Sequence, residues 1–181
     1  MKLIYCSILC VLLSSILQQH LTAEVASVEG TCKAAAARNL AVNYDFCVTH
    51  FLRHPWSGDV DERGLANIAA TLSIDAAYNG QSTIQSLLQK KPVDSATVSG
   101  LQYCKALYNK MLFTLADAVD NINSRQDGVA KNCLNMAISQ AKSCEQGFIK
   151  ARKKSPLTQE NTESIGLSTV ALTILDLLKH N

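Results

Sequence analysis

Apolar residues recur at three- and four-residue intervals along four long stretches of this chain, the spacing that lays one stripe along an α-helix. Leu65, Ile68, Ala69, Leu72, Ala76, Ile84, Leu87 and Leu88 form the first stripe, between Asp61 and Lys90. Lys91-Pro92 stops it, because proline pushes the residue before it out of the helical region. Asp94 or Ser95 can cap a second helix, whose stripe is Val98, Leu101, Cys104, Tyr108, Met111, Leu115, Val119 and Ile122. The polar run NSRQDG, Asn123 to Gly128, reads as a turn. A third helix follows from about Val129 to Lys150, with Cys133, Ala137, Ala141, Cys144 and Phe148 inward. Ser155-Pro156 breaks it, and Thr158 or Asn161 caps a last helix carrying Leu167, Val170, Ala171, Ile174, Leu175 and Leu178. No segment sustains a two-residue alternation of β-branched residues. The fold class predicted is therefore all-α, an up-down-up-down four-helix bundle over residues 61–180.

Upstream lie two shorter helical segments, Cys32 to Asn39 and Tyr44 to His54, with a bend near Val42-Asn43. Isolated helices of this length are marginal in water. The four long helices close a core without them. They are expected to form a helical hairpin over residues 27–56, outside the bundle, and to shape part of a partner-binding or self-association surface.

The N-terminus changes which residues count. Met1-Lys2 is a short positive region, Leu3 to Leu17 is apolar or small, and Thr22, Ala23, Ala26 and Ser27 supply a small-residue exit. This order reads as a secretory signal peptide over 1–26, cleaved near 23–27. The apolar run ends at Gln18-Gln19-His20, short of the roughly 20 residues a membrane span needs. Residues 27–181 would remain as a single domain, long enough to hold its own core.

Cleavage removes Cys6 and Cys10 from the seven cysteines and leaves Cys32, Cys47, Cys104, Cys133 and Cys144. In an oxidising compartment these are expected to pair. Five is odd, so two bridges and a free thiol, or an intermolecular bond, are the options. A Cys32–Cys47 bridge would clamp the hairpin, and closing so short a loop is worth about 3 kcal/mol in the chain-entropy model. A Cys104–Cys144 bridge would cross-brace two bundle helices, worth about 4 kcal/mol on the same footing. Four cysteines allow three connectivities, and spacing does not choose among them.

Charge and motifs narrow the chemistry. The net charge of +2 demands neither nucleic acid nor an anionic membrane as partner. His50, His54 and His180 have no carboxylate or cysteine at ligand spacing, so no metal site is expected. Asp59, Asp61 and Glu62 sit at a helix start, where negative charge favours the dipole. Lys150, Arg152, Lys153 and Lys154 sit at a helix end, where positive charge does. Neither a G-x-S-x-G elbow nor a Gly-rich phosphate loop occurs. No enzyme constellation and no cofactor are read. Cys133 is expected to be a small buried core thiol.

The segments GTCKAAA at 30–36, NYDFCVTHF at 43–51, YC at 103–104, MAISQAKSCEQGF at 136–148 and PLTQENTESIGLSTVALTILDLL at 156–178 resemble the plant invertase and pectin methylesterase inhibitor family. The opening is most similar to the pollen-allergen type of invertase inhibitor. The resemblance covers essentially all of residues 27–181. It implies a four-helix bundle preceded by a disulfide-clamped hairpin, with bridges Cys32–Cys47 and Cys104–Cys144 and with Cys133 outside that framework. It implies a secreted inhibitor that blocks the active-site cleft of a plant acid invertase, a cell-wall or vacuolar β-fructofuranosidase. The alternatives are a pectin methylesterase inhibitor and a non-inhibitory binding module of the same fold. The expected partner is acid invertase or pectin methylesterase, met in the apoplast or the vacuole, with the inhibitor a monomer or weak dimer and free of the membrane once the signal is cleaved. In the invertase-inhibiting branch a Pro-Lys-Phe motif between the second and third bundle helices enters the enzyme's cleft. The matching loop here is Asn123-Ser124-Arg125-Gln126-Asp127, which has Arg125 as its cation and lacks the proline and the aromatic.

Overall fold

A computed structural model describes residues 26–90 and 94–178. The signal peptide read over 1–26, the Lys91-Pro92 stop and His180 fall outside the described residues, Ala26 excepted. Among the described residues six helices follow one another: α1 Val28–Arg38, α2 Tyr44–Leu52, α3 Glu62–Gln89, α4 Ser95–Asn123, α5 Asp127–Lys150 and α6 Thr158–Leu177. No strand occurs among the described residues.

Side-chain oxygens set where four of the helices begin. Ser27 accepts from Gly30 N–H, Asn43 from Phe46 N–H, Asp61 from Gly64 N–H and Asp94 from Thr97 N–H, each satisfying a backbone donor that the first turn leaves over. Between Asp94 and Ser95, the cap is Asp94. Hydrogen bonds from the backbone and side chain of Thr97 hold its carboxyl below the usual range, and Lys153 adds to the effect. Lys153 Nζ lies 3.3 Å from Asp94 Oδ2 and ties the end of α5 to the start of α4.

The last helix departs from expectation. Neither Thr158 nor Asn161 is its cap: α6 starts at Thr158 with Leu157 in the cap position and no side-chain cap bond. Asn161 is buried instead, accepting from Tyr108 Oη at 2.9 Å and donating to Glu145 Oε2 at 2.8 Å. The requirement for a buried polar partner outweighed the local preference for a cap.

Helices α3, α4, α5 and α6 close into a ring in which each packs on its chain neighbours and α3 meets α6. The predicted stripes face the interior, with Leu101, Tyr108, Met111, Leu115, Ile122, Ala137, Ala141, Phe148 and Ile174 all buried. The Cys104–Cys144 disulfide joins α4 to α5 with its Cα atoms 4.9 Å apart. On α3, Gly80 opens the space into which the Tyr108 ring fits.

The hairpin lies outside the ring yet shares its core. Cys32 and Cys47 are bonded with Cα atoms 5.8 Å apart. Val28, Cys32, Ala35, Val42, Cys47 and Phe51 belong to the same apolar cluster as the bundle. Helix α1 leans on α6, where Asn39 Nδ2 donates to Thr173 Oγ1 at 3.1 Å. The Phe46 ring lies over Gly166, and Ala26 N–H donates to Val60 C=O at 2.9 Å. Helix α6 is thus enclosed by the bundle on one side and the hairpin on the other, and Leu167, Ser168, Thr169, Val170 and Ala171 are buried in succession. A helix covered on both sides loses the single stripe of a surface helix.

The two ends of this packing can be tested on glycines. A Cβ on Gly80 would overlap Tyr108 Cε1, whereas one on Gly128 would meet nothing within 4 Å. Gly80→Ala should lower stability by about 1–3 kcal/mol through overpacking, despite alanine's better helix propensity. Gly128→Ala should raise it by up to about 0.5–1 kcal/mol. Urea unfolding should move the two midpoints in opposite directions. A Gly80→Ala midpoint equal to wild type would mean that the Tyr108 ring is not seated there.

Candidate functional site

The turn between α4 and α5 is set by how α4 ends. Gln126 N–H donates to Asn121 C=O at 2.8 Å and Arg125 N–H to Ile122 C=O at 3.1 Å. These two bonds are a Schellman closure, which requires a left-handed residue and usually takes glycine. Here Arg125 occupies it, with φ 57°, at a cost of about 1 kcal/mol relative to glycine. The Gln126 carbonyl then accepts from Val129 and Ala130 N–H and starts α5. Ser124, Arg125 and Gln126 are exposed. Among the described residues the Arg125 side chain forms no hydrogen bond or ion pair.

The flanking residues brace the turn. Asp127 meets Arg63 of α3 through both carboxylate oxygens, at 2.5 and 3.0 Å. The same guanidinium donates to Ile122 C=O at 3.3 Å. This bidentate pair is mostly shielded from solvent, and the hydrogen bond to Asp127 raises the Arg63 pKa against the opposing effect of burial. Asn67 Nδ2 donates to Asn123 Oδ1 at 2.8 Å. Of the five residues that the sequence puts at this loop, Asn123 and Asp127 are therefore fixed to α3, and the three between them face solvent.

The α2–α3 loop reaches the same end of the bundle. Arg125, Arg63, Asn67, Asp61, His54 and Trp56 are among the residues lining one open depression of about 430 Å³. Trp56 is 64% exposed. Its backbone is held nonetheless: Ser57 is buried, and its hydroxyl donates to Phe51 C=O at 2.7 Å and His54 C=O at 3.0 Å. Sequence reading passed over Trp56, because it belongs to no periodic stripe. The available signal was a large aromatic in a loop, HPWSGD, where nothing local could bury it. Arg63 carried no such signal, since its partner is 64 positions away.

The other residues singled out in the sequence lie apart from this end or serve the fold. His50 Nε2 is 3.5 Å from Glu163 Oε1, and its Nδ1 meets Phe46 C=O at 2.8 Å. Asp61 is a helix cap and Asp59 is exposed. Cys133 is a buried free thiol whose pKa is raised by burial and by the charge of Asp117. Among the described residues, no group of three His, Cys, Asp or Glu side chains is placed to hold a metal ion. None of the described helices is long and apolar enough to cross a membrane.

A ring of four antiparallel helices with a disulfide-clamped hairpin docked on one side defines the class: a small, covalently braced helical-bundle protein. The chain belongs to the plant invertase/pectin methylesterase inhibitor family, whose model matches residues 26–174. A Platanus orientalis protein named "Putative invertase inhibitor" is 35% identical over 153 residues, 83% of this chain and 89% of that one. "Pectinesterase inhibitor 8" of Oryza sativa subsp. japonica is 33% identical over 159 residues, 85% of this chain and 84% of that one. A mutant form of a pectin methylesterase inhibitor from Arabidopsis shares the fold at a TM-score of 0.69 and 17% identity, covering 81% of this chain and 95% of that chain.

The left-handed position makes a prediction of its own. Arg125→Gly should raise stability by about 1 kcal/mol, because glycine adopts φ 57° without the steric cost that arginine bears. Thermal unfolding of the two proteins checks it, and a Tm at or below wild type would show that the side chain contributes more to the fold than the backbone gains.

Proposed function

We propose that this protein is a secreted inhibitor that blocks the active-site cleft of a plant acid invertase, in the cell wall or the vacuole, by presenting the Ser124–Gln126 turn. The observation that carries this reading is Arg125: an exposed cation without a side-chain partner among the described residues, on a turn of three residues between two long helices. Asn67 and Arg63 of α3 hold Asn123 and Asp127 on either side of that turn, so little ordering entropy is lost when it enters a cleft. Glycosidases work with paired carboxylates at the scissile bond, and a guanidinium bonded to a carboxylate is roughly twice as strong a contact as a neutral hydrogen bond. The inhibitor acts by occupancy, with no turnover of its own. Two disulfides suit an oxidising compartment outside the cytosol and agree with a cleaved signal at 1–26.

Pectin methylesterase as the target is the second reading, favoured by the 33% identity to the relative named "Pectinesterase inhibitor 8". Inhibition constants of wild type and Arg125→Ala against a cell-wall invertase and a pectin methylesterase separate the two. Arg125→Ala should weaken invertase inhibition about 5- to 150-fold, since a carboxylate left unpaired in a closed interface costs about 1–3 kcal/mol. Equal constants would remove Arg125 from the contact. Inhibition of pectin methylesterase alone would transfer the assignment to that enzyme.

A further inference from the structure

We infer that Trp56 is the aromatic anchor of the target contact, so that recognition is shared between the α2–α3 loop and the α4–α5 turn. This inference rests on the invertase reading and deepens it. Trp56 is the chain's one tryptophan, is 64% exposed, and lines the same depression as Arg125. Its backbone is fixed by the buried Ser57, whose hydroxyl closes on Phe51 and His54, and by Trp56 N–H donating to His54 Nδ1 at 3.4 Å. The ring is therefore presented from a rigid support. Tryptophan and arginine are two of the three residue types in which interface hot spots are enriched.

The charges around the depression say what it would accept. Arg63 is neutralised by Asp127, and the carboxylate of Asp61 is engaged by Gly64 N–H at 2.7 Å. Among the described residues Arg125 is the cation of this depression without a hydrogen bond or ion pair, so it is free to take a carboxylate from the partner surface. The occupant to which these features commit is the rim of a sugar-binding cleft. There carboxylates for the guanidinium lie next to flat apolar faces on which an indole can stack while its N–H finds an acceptor. Other exposed aromatics lack this setting: Phe113 is 77% exposed but lies ten residues back along α4 from Asn123, roughly 15 Å from the turn.

The experiment compares inhibition of a cell-wall invertase by wild type, Trp56→Ala, Trp56→Phe and Phe113→Ala, with thermal unfolding as the check that each is folded. Trp56→Ala should raise the inhibition constant at least about tenfold. Trp56→Phe should recover most of that loss, and Phe113→Ala should leave the constant unchanged. Independently of any variant, wild type labelled with 5-fluorotryptophan should give one fluorine resonance whose chemical shift moves when invertase is added. If wild type inhibits but Trp56→Ala matches it and the resonance stays in place, the inference is overturned and the invertase reading stands. If wild type does not inhibit invertase, both are overturned.

Discussion

The hydroxyl of Tyr108 donates to Asn161 Oδ1 inside a largely apolar interior, and all four bundle helices are registered around that bond. Tyr108 comes from α4, and its ring fills the space left by Gly80 of α3. Asn161 comes from α6 and turns its amide to Glu145 Oε2 of α5 at 2.8 Å. A sliding of α4, α5 or α6 would strand a polar group of this network, at a cost of about 1–3 kcal/mol for each group left unsatisfied, and a sliding of α3 would bring a Cβ against the Tyr108 ring. Apolar stripes alone tolerate such sliding, because one leucine packs much like the next. Burial and the nearby charges of Glu160 and Glu145 push the Tyr108 pKa far up, so the phenol remains a neutral donor across the physiological range. The Cys104–Cys144 bond lies beside this network, with Asn161 Nδ2 3.5 Å from Cys144 Sγ. Covalent and polar constraints thus fix the same level of the bundle.

The parts of this arrangement that were legible in the sequence are those governed by near neighbours. Helical spacing of Leu101, Tyr108, Met111, Leu115 and Ile122 gives the inner face of α4, and Asp94 before it gives the start. What was hidden depends on partners far along the chain. Asn161 near the start of a helix reads as a cap, and only Tyr108, 53 positions earlier, turns it inward. Thr169 and Thr173 look like a polar face of α6, yet they are buried because the hairpin covers that side. The candidate site divides in the same way. A polar turn at 123–128 could be read directly, whereas the anchoring of Asp127 by Arg63 and the approach of Trp56 arise only when α3 and its preceding loop fold onto the α4–α5 end.

Backbone strain by itself does not single out the turn. The α5 terminus closes in the same way, with Lys153 N–H bonded to Phe148 C=O, Arg152 N–H bonded to Ile149 C=O, and Arg152 at φ 55°. Both closures forgo glycine, and both bear a similar steric cost. Their surroundings distinguish them. Arg152 is exposed in a cluster of like charges, Lys150, Lys153 and Lys154, as suits a helix C-terminus. Arg125 has no side-chain partner among the described residues and lies at the edge of a depression where Arg63 is paired with Asp127, Asp61 caps a helix, and the wall carries an exposed tryptophan.

That difference connects the hairpin to the turn. Trp56 can stand beside Arg125 only while the end of α2 keeps its place, and α2 is held by the Cys32–Cys47 clamp, by Phe46 on Gly166 and by the buried Phe51. Helices as short as α1 and α2 have little stability of their own. The clamp stabilises them by restricting the unfolded chain, and docking on α6 then fixes their position relative to the bundle. The N-terminal segment therefore contributes to the surface at the far end of the chain's fold as well as to the core. Covalent closure of a fifteen-residue interval positions a loop beyond it, and that loop completes a surface whose other half is set by how α4 ends.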